Sequence, residues 1–427
     1  MSPVLKPSSL KPAPMSTPLR FTVLAQCRSS AARLGRIETP HGSFDTPAFI
    51  PVGSRGSVRG LSPQQLRSTG TQIVLANAYH LMLRPGAELI ARMGGLHRFM
   101  AWDGPILTDS GGYQAYSMAD INRIDDDGVT FRSIVDGSMV HLGPQRSIEV
   151  QNALGADIIM AFDDCRTSVE RVGSNRRTGS SAGPQRDDAT TSTTGLRDEL
   201  RVAHHRTVRW LEQCRAAHQR PDEQALFGIV QGGTDLQLRR ASVEAVCNVE
   251  LPGYAIGGVA MGEEPKLIHQ VVQFTAPLLP ADKPRYVMGV GYERDLVAAV
   301  RAGADMFDCV LPTRNGRNAN AFTRRGRMHL RNARFREDQR VVEVGCDCVA
   351  CAQGFSLAYL RHLFLAGEML GPILLSLHNI RHFQRLMLDI HRAIREDSWS
   401  DLLRSWPVLE SGAPDEAADG LHDPEDS

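Results

Sequence analysis

Long apolar runs are missing from this sequence. No stretch approaches the ~18 consecutive apolar residues that span a bilayer, and the Pro- and Ser-rich first 26 residues hold no apolar segment of the kind a secretory signal needs. Cysteine is sparse, with eight in 427 residues, which excludes a disulfide scaffold. Three of the eight fall between 346 and 351, and in a reducing compartment such a cluster reads as metal-binding before cross-linking. Charge of one sign is missing at each end. Residues 1–37 carry no Asp or Glu, and after Arg404 there is no Lys or Arg while seven acids follow. The net charge of zero therefore hides a body at +7 once those seven are set aside. Nine arginines lie between Arg314 and Arg340 against only Glu337 and Asp338. Such a patch suits a polyanionic partner, and it suits an ordinary solvated surface equally well. A hydrophobic fraction of 42% with 22% charged residues excludes a wholly disordered or collagen-like chain.

What is present is a regular alternation. Eight short apolar runs are the candidate strands: Ala48–Val52, Gln72–Ala76, Pro105–Thr108, Ile158–Phe162, Leu226–Val230, Tyr254–Ile256, Arg285–Met288 and Met306–Phe307. Helix signals lie between them, as in Ser62-Pro63-Gln64-Gln65-Leu66, an N-cap serine with proline at the first helical position, stopped by Gly70. Strands alternating with helices imply a parallel sheet, and eight of them fit an α/β fold of the (β/α)₈ TIM-barrel type better than a doubly wound sheet. Polar or glycine residues follow the runs: Asn77, Asp109, Asp163, Gln231, Gly257-Gly258, Gly289 and Asp308. In a barrel they converge on one mouth. Residues 1–19 read as a disordered leader, about 173–195 as a flexible insertion in a barrel of residues 20–330, and 406–427 as a disordered acidic tail.

The strongest chemical signal is Cys346-Asp347-Cys348-Val349-Ala350-Cys351 with a later histidine. Three thiolates and one imidazole close a tetrahedral Zn²⁺ shell with no open position, the structural arrangement. His378 is the candidate fourth ligand, and His362 competes for the role. The segment 331–405 then reads as a C-terminal zinc-binding subdomain with closing helices. The second signal is a pair of aspartates, Asp109 in Thr108-Asp109-Ser110-Gly111-Gly112-Tyr113-Gln114 and Asp308 inside the apolar run after Asp305. A carboxylate in such a setting needs a reason. Two facing one pocket can divide the roles of nucleophile and general acid/base, as in retaining glycosyl transfer; each can also be a helix cap. Ser110, Gly111 and Gly112 let backbone approach a planar ligand, and Tyr113 can stack on it. Asp163, Gln231 and Gly258 offer acceptors and donors suited to a guanine-like edge. Thr313-Arg314-Asn315-Gly316-Arg317, directly after Asp308, suits phosphate or base contacts in a nucleic acid.

Together these stretches resemble the tRNA-guanine transglycosylase family of the bacterial queuosine type. The likeness is carried by Thr108–Gln114, Phe162–Cys165, Phe227–Gly232, Ala255–Gly258, Met288–Gly291, Asp305–Asn318 and the Cys346/Cys348/Cys351/His378 set. It implies a (β/α)₈ barrel with a zinc subdomain, a homodimer in the cytoplasm, one structural Zn²⁺, and tRNA with a 7-deazaguanine base as partners. It implies a pentosyltransferase that exchanges guanine at wobble position 34 of tRNAs with GUN anticodons through a covalent aspartyl-ribosyl intermediate. Asp308 takes the place of the nucleophile and Asp109 that of the general acid/base. Ser110, Gly111, Gly112, Tyr113, Asp163, Gln231, Gly258 and Glu263 match base-binding positions. The loop Gly289, Val290, Gly291, Tyr292, Glu293, Arg294 and Asp295 matches an RNA-contacting loop, as do Thr313, Arg314, Asn315, Gly316 and Arg317.

The resemblance also bears on which base enters. Cys165 and Met261 match positions beside the 7-substituent, and with Glu263 they point to 7-aminomethyl-7-deazaguanine rather than queuine. A non-catalytic RNA-binding subunit of a heterodimer is the alternative, and retention of both Asp109 and Asp308 weighs against it. The chain departs from the family pattern at Arg166-Thr167-Ser168 and at Tyr292, and the insertion after Cys165 is an added length of connection.

Overall fold

The computed structural model describes residues 17–117, 122–166, 189–260 and 262–410. Each of the eight apolar runs forms a strand. They are β1 (Ala48–Gly53), β2 (Val74–Ala76), β3 (Ile106–Thr108), β4 (Ile158–Met160), β5 (Ala225–Val230), β6 (Gly253–Ile256), β7 (Arg285–Val287) and β8 (Met306–Cys309). They close into one parallel barrel in sequence order, and Met306–Cys309 pairs with Ala48–Pro51 to seal the ring. The runs are apolar throughout because both faces of a parallel barrel are covered. Ile158, Met160, Phe227, Ile229 and Tyr286 belong to one buried cluster, and their strand neighbours Ile159, Leu226, Val230 and Val287 belong to another. That is the period-two split between barrel interior and helix layer. The helix after β1, Pro63–Ser68, starts as its sequence dictates: the Ser62 hydroxyl accepts from the Gln65 N–H, and the Gln65 side chain returns a bond to the Ser62 amide.

Before β1, an antiparallel sheet of Arg20–Gln26, Arg33–Thr39 and Gly42–Thr46 covers the N-terminal strand ends. Two buried carboxylates hold it there. Asp305, just before β8, accepts from Arg33 Nε at 2.9 Å and Nη2 at 2.7 Å. Asp157, just before β4, accepts from His41 Nδ1 at 2.8 Å, His97 Nε2 at 3.0 Å and the Ile106 amide at 2.8 Å. The two imidazoles are stacked, with centroids 3.5 Å apart. A second three-stranded sheet, Asn122–Ile124, Val129–Arg132 and Met139–Leu142, is inserted between β3 and β4. Its strands mix polar and apolar residues, as in Val129-Thr130-Phe131-Arg132, and so form no continuous apolar run.

The C-terminal segment has its own apolar cluster, built from Leu330, Phe335, Leu357, Leu360, Leu363, Leu374 and Leu375 around the three cysteines. This cluster begins at Ala319 and Ala321, so the subdomain starts earlier than 331: the hairpin Asn320–Thr323/Gly326–His329 packs with it. The 27-residue helix Leu370–Glu396, about 40 Å long, runs from this subdomain along β1. There Gln384 and His391 donate to the Phe49 and Pro47 carbonyls. Two further boundaries differ from the sequence expectation. The expected tail at 406–427 begins later, because the Trp406 indole is fully buried against His382 and Val408 is bonded to Arg324; residues 411–427 lie outside the described residues. The expected insertion lies largely outside them too, but its last part, 189–195, forms the first turns of helix Ala189–Ala217. The expected leader lies outside the described residues up to residue 16. Among the described residues no helix is long and apolar enough to cross a membrane.

Candidate active site

The C-terminal ends of β3, β4, β5, β6, β7 and β8 bring the candidate residues to one mouth. Asp109 leaves β3, and its Oδ1 accepts the Ala78 N–H at 2.8 Å. Burial pushes its carboxyl up to about 7, and the charge of Asp308 adds to the rise while the Ala78 and Gly111 amides and Gln114 oppose it. Asp308 sits within β8. Its Oδ1 accepts the Tyr286 hydroxyl at 2.5 Å and the Gly289 N–H at 3.0 Å. Burial raises its pKa against the pull of those two bonds. The Tyr286 hydroxyl is itself held protonated by burial and by the Asp308 charge. The two aspartates named from the sequence therefore share one electrostatic site.

Beside them, the Gln231 side-chain amide donates to Asp163, whose carboxyl burial raises to about 7. Gly258 has φ +63°, and a Cβ there would fall 2.2 Å from Gln231 Oε1, so only glycine lets β6 close against this side chain. Cys165 meets the same group: burial raises its thiol, and Gln231 and the Gly258 amide contact it. The neighbouring Asp164 faces the other way into an ion pair with Arg206 at 2.5 Å. Ser110 is buried, Gly112 packs on Asp163 and the Phe162 ring, and Tyr113 is 39% exposed above them. Glu263 is buried and its charge reaches Arg239. Met261 lies outside the described residues.

The expected RNA loops divide. In helix Leu311–Arg317, Arg314 and Arg317 are partly exposed while Thr313, Asn315 and Gly316 are buried. In the loop after β7, Gly289 is exposed and Tyr292 and Arg294 are partly so, with the Arg327 guanidinium 5.5 Å above the Tyr292 ring. Val290 and Gly291 are buried. Glu293 and Asp295 are also buried, at 2.7 Å from His382 and His269. Their carboxylates face protein, not a phosphate backbone.

Two residues of the mouth escape a reading of the sequence. Tyr286 is one; its only signal is a hydroxyl-bearing ring at an inward position of a barrel strand. Arg239 is the other. It is fully buried on helix Leu236–Cys247 and donates to the carbonyls of Gly233, Val230, Gly257 and Gly258 at 2.7–3.1 Å. It lashes the ends of β5 and β6 together, and burial lowers its pKa to about 10.

Away from the mouth, Cys346, Cys348, Cys351 and His378 come together as a buried group able to hold a metal ion. The His378 Nδ1 lies 3.8, 3.4 and 3.5 Å from the three sulfurs. Its Nε2 donates to the Phe322 carbonyl at 2.8 Å, which fixes the tautomer and leaves Nδ1 as the ligand atom. His362 stacks on Tyr359 and takes no part.

The model of the queuine tRNA-ribosyltransferase family matches residues 27–408. The chain belongs to this family. Proteins named queuine tRNA-ribosyltransferase from Thermus thermophilus are 50% identical over 91% of this chain and 94% of their own. Those from a Cyanothece strain and from Geobacillus kaustophilus are 48% and 44% identical over 91% of this chain and 95% of theirs. Membership places the chain among the pentosyltransferase enzymes, with the carboxylate pair in the barrel mouth as its candidate centre.

Proposed function

We propose that the protein exchanges guanine at position 34 of tRNAs with GUN anticodons for 7-aminomethyl-7-deazaguanine, a step of queuosine biosynthesis, through an aspartyl-ribosyl intermediate. The observation that carries this reading is the pair of buried carboxylates in one barrel mouth, close enough that the charge of one acts on the other. Asp308 is presented by Tyr286 and Gly289, whereas Asp109 is held near neutrality, where it can give and take a proton. Asp308 attacks C1′ of the nucleotide; the C1′–N9 bond breaks, a C1′–O bond forms, and Asp109 passes its proton to the departing guanine. The incoming base returns a proton to Asp109, its N9 attacks C1′, and Asp308 leaves. One N-glycosidic bond replaces another, so no energy source is required.

Asp163, Gln231 and Gly258 supply the acceptor, donor and close backbone approach for the base edge, with Ser110 and Gly111–Gly112 lining it and Tyr113 above. Cys165 touches Gln231 and Gly258, which supports its place beside the 7-substituent, and Glu263 suits the aminomethyl ammonium. Arg314 and Arg317, with the exposed part of the Gly289–Arg294 loop, supply the RNA surface. Cys346, Cys348, Cys351 and His378 suit one structural Zn²⁺: the observed S···N separations bracket the edge of about 3.6 Å expected for a tetrahedron with Zn–S ~2.3 and Zn–N ~2.0–2.1 Å. Bound there, the ion cross-links the cysteine knuckle to the Leu370–Glu396 helix and takes no part in the exchange.

Incorporation of labelled guanine into unmodified tRNA bearing G34 tests the reading. Wild type is expected to incorporate label and Asp308→Asn to fail. Competition by the aminomethyl base, and weaker competition by queuine, are expected to follow. No incorporation by folded, metal-loaded wild type would sink base exchange and favour the RNA-binding subunit.

A further inference from the structure

Resting on that reading, we infer that Glu293 and His382 are positioning residues: their hydrogen bond sets the nucleophile's geometry from the metal-binding subdomain. Glu293 opens the helix Glu293–Arg301, whose N-cap residue Tyr292 makes no side-chain capping bond. The first turn of that helix is held instead by its acids. Glu293 Oε1 accepts from His382 Nε2 on the Leu370–Glu396 helix, and Asp295 Oδ1 pairs with His269 Nε2 on the Pro265–Thr275 helix, each at 2.7 Å. His382 is fully buried, wedged among Phe322, Phe383 and Trp406, and Glu293 is 4% exposed. Neither group has room to swing away, so the bond behaves as a strut between two helices.

What the strut holds is the loop that touches Asp308. Gly289, four residues before Glu293, gives its N–H to Asp308 Oδ1. Gly291 lies hard against the strand beyond Asp308: a Cβ on it would sit 2.4 Å from the Cys309 sulfur. Loop and β8 are thus in contact with no slack, and a shift of the helix start carries through to the carboxylate. The other end of the strut is equally fixed. His382 lies four residues after the ligand His378 on the same helix face, and the intervening Asn379 bonds the carbonyls of Pro312 and Asn320. Misplacing a reacting group by about 1 Å can cost on the order of a hundredfold in rate, so a device that removes tenths of an ångström of freedom has a measurable effect.

The test uses full-length, metal-loaded protein and labelled-guanine exchange into G34 tRNA. Glu293→Ala and His382→Leu are each expected to lower kcat about tenfold, with KM for tRNA within twofold of wild type. The double variant is expected to be no worse than the worse single one, because both remove one bond. His382→Gln and Glu293→Gln, which keep a donor and an acceptor in place, are expected to recover most of the rate and to carry the test if the truncations melt early. A loss seen only in KM would overturn the proposal by assigning Glu293 to RNA binding. Additive losses, or conservative variants as slow as the truncations, would overturn it as well. Absence of exchange by wild type would instead refute the base-exchange reading on which it rests.

Discussion

The two ends of the barrel treat buried carboxylates differently. At the floor, Asp305 and Asp157 meet a guanidinium and two imidazoles, and each also accepts backbone N–H bonds. At the mouth, Asp109, Asp163 and Asp308 meet neutral donors: backbone amides, a glutamine and a phenol. Neutral dipoles soften the cost of burial without cancelling it. The Asp109 and Asp163 carboxyls accordingly rise to about 7, while His41 and His97 hold Asp157 far below the usual carboxylate range despite its burial. Asp305 is the exception among the floor fasteners: burial raises its carboxyl against the pull of Arg33. The two ends therefore differ in partner charge, but only at Asp157 does that charge outweigh burial.

Four measurements break or sharpen this contrast. The largest effect is expected for Asp308→Asn, with kcat for guanine exchange falling roughly a thousandfold or more and no loss of melting temperature, because a buried charge facing Asp109 disappears. A cooperative loss of stability instead would make Asp308 a fastener. Next, Asp157→Asn is expected to destabilise by about 1–3 kcal/mol, as removing the shared acceptor of buried hydrogen bonds does, measured by urea denaturation at pH 7, with exchange activity intact in the folded fraction. Its wild-type contribution is present above the unfolded carboxyl pKa of about 4 and is lost as pH falls below it, so the variant is less acid-sensitive.

Asp109→Asn reverses that sign. A carboxyl whose pKa rises on folding makes the folded state bind the extra proton between pH ~4 and 7, so its cost appears as pH rises through that window. The variant is expected to be more stable to unfolding than wild type at pH 8, by about 1–3 kcal/mol, and no more stable at pH 4. In wild type, kcat/KM for tRNA is expected to fall as pH rises through about 7, since the protonated acid starts the reaction; a profile flat to pH 9 would contradict the assignment. The smallest effect is expected for Tyr286→Phe. Asp308 keeps the Gly289 bond and loses the phenol, so kcat is expected to drop about tenfold with unchanged KM for the base.

The candidate site was legible where chemistry and chain position coincide. The cysteine knuckle, Asp109 after β3 and Asp308 in β8 each combine an unusual residue with a strand or a tight spacing, and both features survive in a linear reading. Asp163 is named from its place after β4 and its match to the family motif, and the structure adds what sets it apart from Asp164: one meets Gln231 and the other Arg206. Arg239 and the Glu293–His382 bond left no trace, because their partners are backbone carbonyls or a side chain 89 residues away. Trp406 was assigned to a tail on the strength of the acids beyond it, yet one indole with a cavity to fill outweighs a run of charge.

By itself the sequence determined the alternation of eight apolar runs with capped helices, because burial on both faces of a parallel strand demands unbroken apolar stretches. It determined the three-cysteine knuckle as a candidate metal site too, because the tight spacing brings three thiols together, while the choice of His378 over His362 waited for the fold. Only the tertiary structure decided which partners each buried carboxylate meets and what charge they bear. A pKa depends on desolvation and on neighbours brought together by closure of the ring, and neither is a property of the linear chain.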